Sequence, residues 1–114
     1  ARPRIQGYVL VDAQQVGTEM AYTIADYIIQ RLKEQGVDVL FGVPSVYCAQ
    51  LFAAAEAAAG FKAIVTSSDL EAGYAADGYA RVRRLAAVAV CYGPGTLSLV
   101  NAIAGAYIER SPMW

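Results

Sequence analysis

From Thr23 onward, the apolar positions of the chain switch repeatedly between helical spacing and short continuous runs. Ile24, Tyr27, Ile28 and Leu32 stand at i, i+3, i+4 and i+8, which predicts an amphipathic helix packed on that face. Thr23 suits its N-cap, and Gly36 suits the left-handed position that closes a helix. Val37–Phe41 is then a β-branched-rich run ending at Gly42-Val43-Pro44-Ser45, a strand and its turn. Ala49–Ala59 has helix propensity but little bulk, so it predicts a helix lying close to its neighbour and closed by Gly60. A strand over Lys62–Thr66, a helix over Leu70–Val82, a strand over Leu85–Tyr92 and a helix over Thr96–Glu109 complete the pattern.

Such alternation predicts an α/β domain, an open parallel sheet with helices on both faces. Ala86–Cys91 is apolar without interruption, as a strand covered on both faces requires, so the Leu85 strand is expected at the centre. The C-terminal strand ends should bring Pro44, Asp69 and Gly93 to one edge. About three strands are few for a doubly wound sheet. The sequence also stops at Ser111-Pro112-Met113-Trp114, where a further strand is due, so the domain reads as cut short on its C-terminal side. Residues 1–20 show no period beyond the run Tyr8–Val11 and are set apart as an extension: an appended remnant, a linker or an extra strand. The domain itself is assigned to residues 21–114.

Composition narrows the function. The 114 residues make one domain, and a formal net charge of −1 gives no electrostatic reason to expect nucleic acid or an anionic membrane as partner. Apolar residues reach 57%, and no apolar run is long enough to span a bilayer, so the excess predicts surface covered by another domain or subunit. The chain has no His, which removes Ser-His and Cys-His catalysis and the usual His/Cys metal sites; no metal ligand is assigned. Cys48 and Cys91 form no CxxC pair and read as buried thiols of a reducing compartment. With no signal-peptide order at the N-terminus, a cytoplasmic location is expected.

The candidate chemistry lies at the strand ends. Ser68-Asp69-Leu70-Glu71 has the spacing of a capping box, with Glu71 folding back to the Ser68 amide, while Asp69 stands in the first helical turn. Asp77 and Arg81 are spaced for an i, i+4 ion pair, and Arg81, Arg83 and Arg84 suit a helix C-terminus. Gly93-Pro94-Gly95 and Gly42-Val43-Pro44 are turns that allow close backbone approach to a flat ligand.

Ala75-Ala76-Asp77-Gly78-Tyr79-Ala80-Arg81, then Gly93-x-Gly95-x5-Asn101-x3-Gly105-Ala106-Tyr107-x-Glu109, with Phe41-Gly42-Val43-Pro44 upstream, resemble one known pattern. It is that of the pyrimidine-binding (PYR) domain of thiamine-diphosphate enzymes, the family of 2-oxoacid decarboxylases and acetohydroxyacid synthases. The likeness runs from about Tyr22 to Pro112. It implies a flavodoxin-like PYR domain whose Pro44, Ser45, Val46, Gly93, Pro94 and Gly95 meet the aminopyrimidine ring of thiamine diphosphate. It also implies that a carboxylate bonds the ring nitrogen N1′ and so activates the cofactor. The family's glutamate for that task lies eight residues before the Asp of Asp-Gly-Tyr-Ala, and here that position is Asp69. The shorter side chain withdraws the carboxylate by roughly 1 Å, a misplacement that can cost on the order of a hundredfold unless the backbone compensates.

A second departure concerns the turn. Decarboxylases of this kind usually carry an acid two residues after the turn proline, where this chain has Val46, which favours a carboligase or another variant acting on a 2-oxo acid. The Gly-Asp-Gly…Asn motif that anchors the diphosphate through Mg²⁺ belongs to a separate PP domain and is absent from this sequence. The expected partners are therefore a PP domain or second subunit and a small 2-oxo acid, in a homo- or hetero-oligomer. A non-catalytic PYR-like module for assembly or regulation is the alternative. An unrelated nucleotide binder is disfavoured, because no Gly-x-Gly-x-x-Gly follows the first strand.

Overall fold

The computed structural model describes residues 21–113. Residues 1–20, read from sequence as an extension, lie outside the described residues, as does Trp114. Helix α1 (Ile24–Glu34) leads into strand β1 (Val39–Gly42), helix α2 (Ala49–Ala57) and strand β2 (Lys62–Val65). Helix α3 (Asp69–Arg83), strand β3 (Ala87–Ala89) and helix α4 (Pro94–Ile108) follow. The expected α/β alternation is thus present, with element ends shifted by a few residues.

The sheet is parallel with strand order β2-β1-β3, Val39 facing Lys62 on one side and Leu40 facing Ala87 on the other. This corrects the expectation that the Leu85 strand is central. The central strand is β1, all four of whose residues are buried, because α2 covers one of its faces and α3 the other. Ala86–Ala89 is apolar but mostly small, and an unbroken apolar run rich in alanine says little about how many neighbours a strand has. A parallel bridge between Ala86 and Met113 lies along the other side of β3.

The alternation of β1 divides the core in two. Leu40 points to one face, with Ile29 of α1, Phe52 and Ala55 of α2, and Phe61. Val39 and Phe41 point to the other, against the alanine stripe Ala72, Ala76 and Ala80 of α3. Gly42 ends β1 where a Cβ would lie 2.0 Å from the Ala89 carbonyl oxygen, so only glycine lets β1 and β3 close at this point.

The packed face of α1 also differs from expectation. Ile29 is buried, with Ala25 and Leu32 beside it, whereas Ile24, Tyr27 and Ile28 are exposed. The helix carries two adjacent apolar stripes, and the one turned inward is the one whose small Ala25 allows close approach to the α2 layer. Thr23 caps α1 as expected: its Oγ1 accepts from the Asp26 amide at 3.1 Å while Asp26 Oδ2 accepts from the Thr23 amide at 2.9 Å. Gly36 takes the left-handed conformation, φ +84°.

At the edge of the sheet opposite the strand ends, Tyr79 Oη donates to Asp38 Oδ1 at 2.8 Å and Arg83 Nη2 lies 3.4 Å from Asp38 Oδ2. The Tyr79 hydroxyl, helped by Arg83, holds the Asp38 carboxyl below its usual value and is itself pushed up by Asp38. Arg81 Nη2 pairs with Asp77 Oδ2 at 2.9 Å as the spacing predicted, and this bond to Arg81 depresses the Asp77 carboxyl.

Candidate functional site

Because the three strands are parallel, their C-terminal ends open on one edge, and strand order 2-1-3 makes the gap between β1 and β3 the switch point, from which α2 and α4 leave towards opposite faces. Three turns meet there. The turn after β1 carries Pro44, Ser45 and Val46, the one after β2 leads into Asp69, and the one after β3 carries Gly93, Pro94 and Gly95.

Asp69 is the first residue of α3, behind the N-cap Ser68, whose hydroxyl accepts from the Glu71 amide at 3.2 Å. The other half of the expected capping box is absent, and the Glu71 carboxylate instead takes the hydroxyl of Ser67. That leaves Asp69 free of capping duty. Its side chain lies against Gly95, the second residue of α4: a Cβ on Gly95 would sit 3.1 Å from Asp69 Oδ2 and 3.4 Å from Oδ1. A residue after β2 thus touches one after β3, although β1 separates the two strands. The side-by-side packing of α3 and α4 brings their N-termini together at this carboxylate.

Asp69 Oδ1 is buried and has no hydrogen-bond donor among the described residues. A buried carboxylate oxygen without a donor is costly and rare, and at a strand-end crevice it marks a place where a donor from outside can bind. Gly93 supplies the turn beneath it with a positive φ of 74° that side-chain-bearing residues rarely adopt, and Pro94 follows at the first helical position, where its missing amide costs nothing.

The turn after β1 is tied by a residue that the sequence reading left as a plain buried thiol. Cys48 Sγ accepts from the Ser45 amide at 3.3 Å, lies 3.2 Å from Ser45 Oγ, and approaches the Val43 carbonyl at 3.6 Å. The Ser45 carbonyl accepts from the Cys48 and Ala49 amides at 3.1 and 2.8 Å, opening α2. Val46 stands almost wholly exposed at the mouth. The rings of Tyr47 and Tyr92 meet edge to face with centroids 4.7 Å apart, bridging the turns after β1 and β3; neither was singled out from sequence. Among the described residues, no group of three His, Cys, Asp or Glu side chains could hold a metal ion, and no helix is long and apolar enough to cross a membrane.

A parallel sheet whose strand-end turns bring glycines and a donorless, buried carboxylate oxygen to one edge has the arrangement at which open α/β domains bind their ligands. Residues 22–114 match the model of the thiamine pyrophosphate enzyme N-terminal TPP-binding domain, and the chain belongs to that family. It is 43% identical over 96 residues to proteins named alpha-keto-acid decarboxylase from Mycobacterium avium and Mycobacterium tuberculosis, and equally to one from Mycobacterium ulcerans. These alignments cover 84% of this chain and 17% of the relatives' length, so the chain spans about a sixth of the curated proteins it matches. The site fits thiamine diphosphate, since an orphaned acceptor beside a side-chain-free glycine suits a flat ring whose protonated or imino form presents a ring N–H.

Proposed function

We propose that this chain is the pyrimidine-binding half of a thiamine-diphosphate-dependent enzyme acting on 2-oxo acids, by decarboxylation or carboligation. The observation that carries this reading is the buried, donorless Asp69 Oδ1 pressed against Gly95 at the strand-end crevice. In this reading the Asp69 carboxyl bonds N1′ of the aminopyrimidine and favours its imino form, in which N1′–H donates to the carboxylate. Pro44, Ser45, Val46, Gly93, Pro94 and Gly95 form the walls that orient the ring and keep water from it. When bound, thiamine diphosphate supplies the nucleophilic carbon that attacks the carbonyl of the substrate. The shorter acid is supported by its close packing against Gly95 of the neighbouring helix.

The diphosphate and its Mg²⁺ belong to a PP domain supplied by the same longer polypeptide or by another subunit, and the complete enzyme is an oligomer of the reducing cytoplasm. The relatives are named for decarboxylation. Val46 offers no acid in the β1 turn, so any proton that reaction needs at this position comes from another group.

Proton exchange at C2 of bound thiamine diphosphate tests the reading in the complete enzyme. Asp69→Ala is expected to abolish the exchange, and Asp69→Glu to change it in either direction according to whether the closed site tolerates the longer acid. Equal exchange in wild type and Asp69→Ala would make Asp69 a helix residue only, and a non-catalytic assembly module would then be the better account.

A further inference from the structure

The hydrogen-bonded ladder between β1 and β3 ends at Gly42 and Ala89. Beyond it the two backbones part, one into α2 on one face of the sheet and the other into α4, which packs on α3 across the opposite face. The turns that carry Pro44–Val46 and Gly93–Gly95 would be free to separate here, since no ladder joins them. Tyr47 and Tyr92 span that gap edge to face at 4.7 Å with an interplanar angle of 65°, a favourable aromatic geometry. Both rings stay largely in solvent, 70% and 65% exposed, so burial gives little reason for their position. What they do join is the two sides of the switch-point crevice.

The geometry points to Tyr47 and Tyr92 as a positioning pair, an aromatic clasp that fixes the width of the crevice into which a flat heteroaromatic ring inserts. This rests on the functional reading above as far as the ring is concerned; the clasp itself rests only on the geometry. Neither residue is a catalytic group, because each acts by holding its own turn against the other. The ring contact carries the effect, so Phe should serve in place of either Tyr.

Two measurements on the complete enzyme test it. Tyr47→Ala and Tyr92→Ala should each raise the thiamine diphosphate concentration for half-saturation about two- to tenfold, the size of an aromatic pair, with a smaller fall in the rate at saturation. Tyr47→Phe and Tyr92→Phe should restore the wild-type value, and the double Ala variant should be little worse than either single one. Without cofactor, amide hydrogen exchange should quicken in the 91–95 turn of Tyr47→Ala and, reciprocally, in the 43–48 turn of Tyr92→Ala. Unchanged half-saturation, additive single effects, or exchange confined to the mutated turn would overturn the clasp. A wild-type enzyme that binds no thiamine diphosphate would instead defeat the functional reading, and the exchange experiment would still decide whether the rings couple the turns.

Discussion

A single absent side chain shapes the candidate site. Gly95 is buried, and the Asp69 carboxylate crowds the place where its Cβ would stand. Gly95→Ala would place that carbon 3.1 Å from Oδ2, tighter than ordinary contact, so the carboxylate has to give way by a few tenths of an ångström. Alanine is also the better helix former by about 1 kcal/mol, so the substitution should leave the fold intact or slightly steadier. The expected result is a severalfold loss of cofactor C2 exchange with an unchanged or raised midpoint in urea. Full exchange activity in Gly95→Ala would mean that the Asp69 position does not matter. At the other end of the sheet, the Asp38–Tyr79 bond makes a pH prediction. The Asp38 carboxyl is depressed, so its contribution is present above its unfolded value near 3.8 and is lost as pH falls through the lower folded value. Tyr79 is raised, so its contribution is present below 10.0 and is lost as pH rises through the higher folded value. Tyr79→Phe should therefore cost about 1 kcal/mol between those limits and progressively less outside them, as read from urea unfolding across pH.

At the scale of elements, α3 is the piece on which the site depends, because its first residue is Asp69 and its alanine stripe seats it on β1. Its N-cap is Ser68 alone. Ser68→Ala should lower stability by about 1 kcal/mol, whereas Glu71→Ala should cost only a few tenths, since the Glu71 carboxylate holds the exposed Ser67 hydroxyl and not the Ser68 amide. Equal losses in chemical denaturation would restore the reciprocal capping box. Helix α4 stands differently. It buries Leu99, Ala102 and Ala106 against its neighbours yet leaves Leu97, Val100, Tyr107 and Ile108 exposed, so it is apolar on more than the side it uses.

For the whole molecule, α3 adds exposed Tyr74 and Val82 to that second apolar side, and together they are more apolar surface than isolated soluble domains usually leave open. The isolated chain should therefore associate at tens of micromolar, and Leu97→Lys with Ile108→Lys should shift it towards monomer in sedimentation velocity. A wild-type chain that sediments as a monomer would argue against a covered α4. The isolated chain should also show no Mg²⁺-dependent affinity for micromolar thiamine diphosphate, because the diphosphate anchor is assigned to another domain. Calorimetry that found tight binding would show that the assignment of the missing half is mistaken.

The sequence by itself determined the alternation of helices and strands, the places of the turns and the family motifs around Asp77 and Gly93. These depend on local periodicity, on caps, and on residues such as Gly36 whose backbone preference is intrinsic. It also singled out Asp69, through its distance from Asp77, although nothing local shows that its Oδ1 has no donor. Only the tertiary structure decided which strand is central. An apolar run records that a strand is covered but not by what, so the bulky, doubly covered Val39–Phe41 outranked the longer apolar run Ala86–Cys91. The inward face of α1 was open for the same reason, because two apolar stripes satisfy one helical period and the α2 layer selects between them. The contact between Asp69 and Gly95 and the meeting of Tyr47 with Tyr92 join residues 26 and 45 positions apart. Pairs so far apart leave no periodic trace, and they exist only once α3 and α4 pack together and the turns after β1 and β3 close over the same edge.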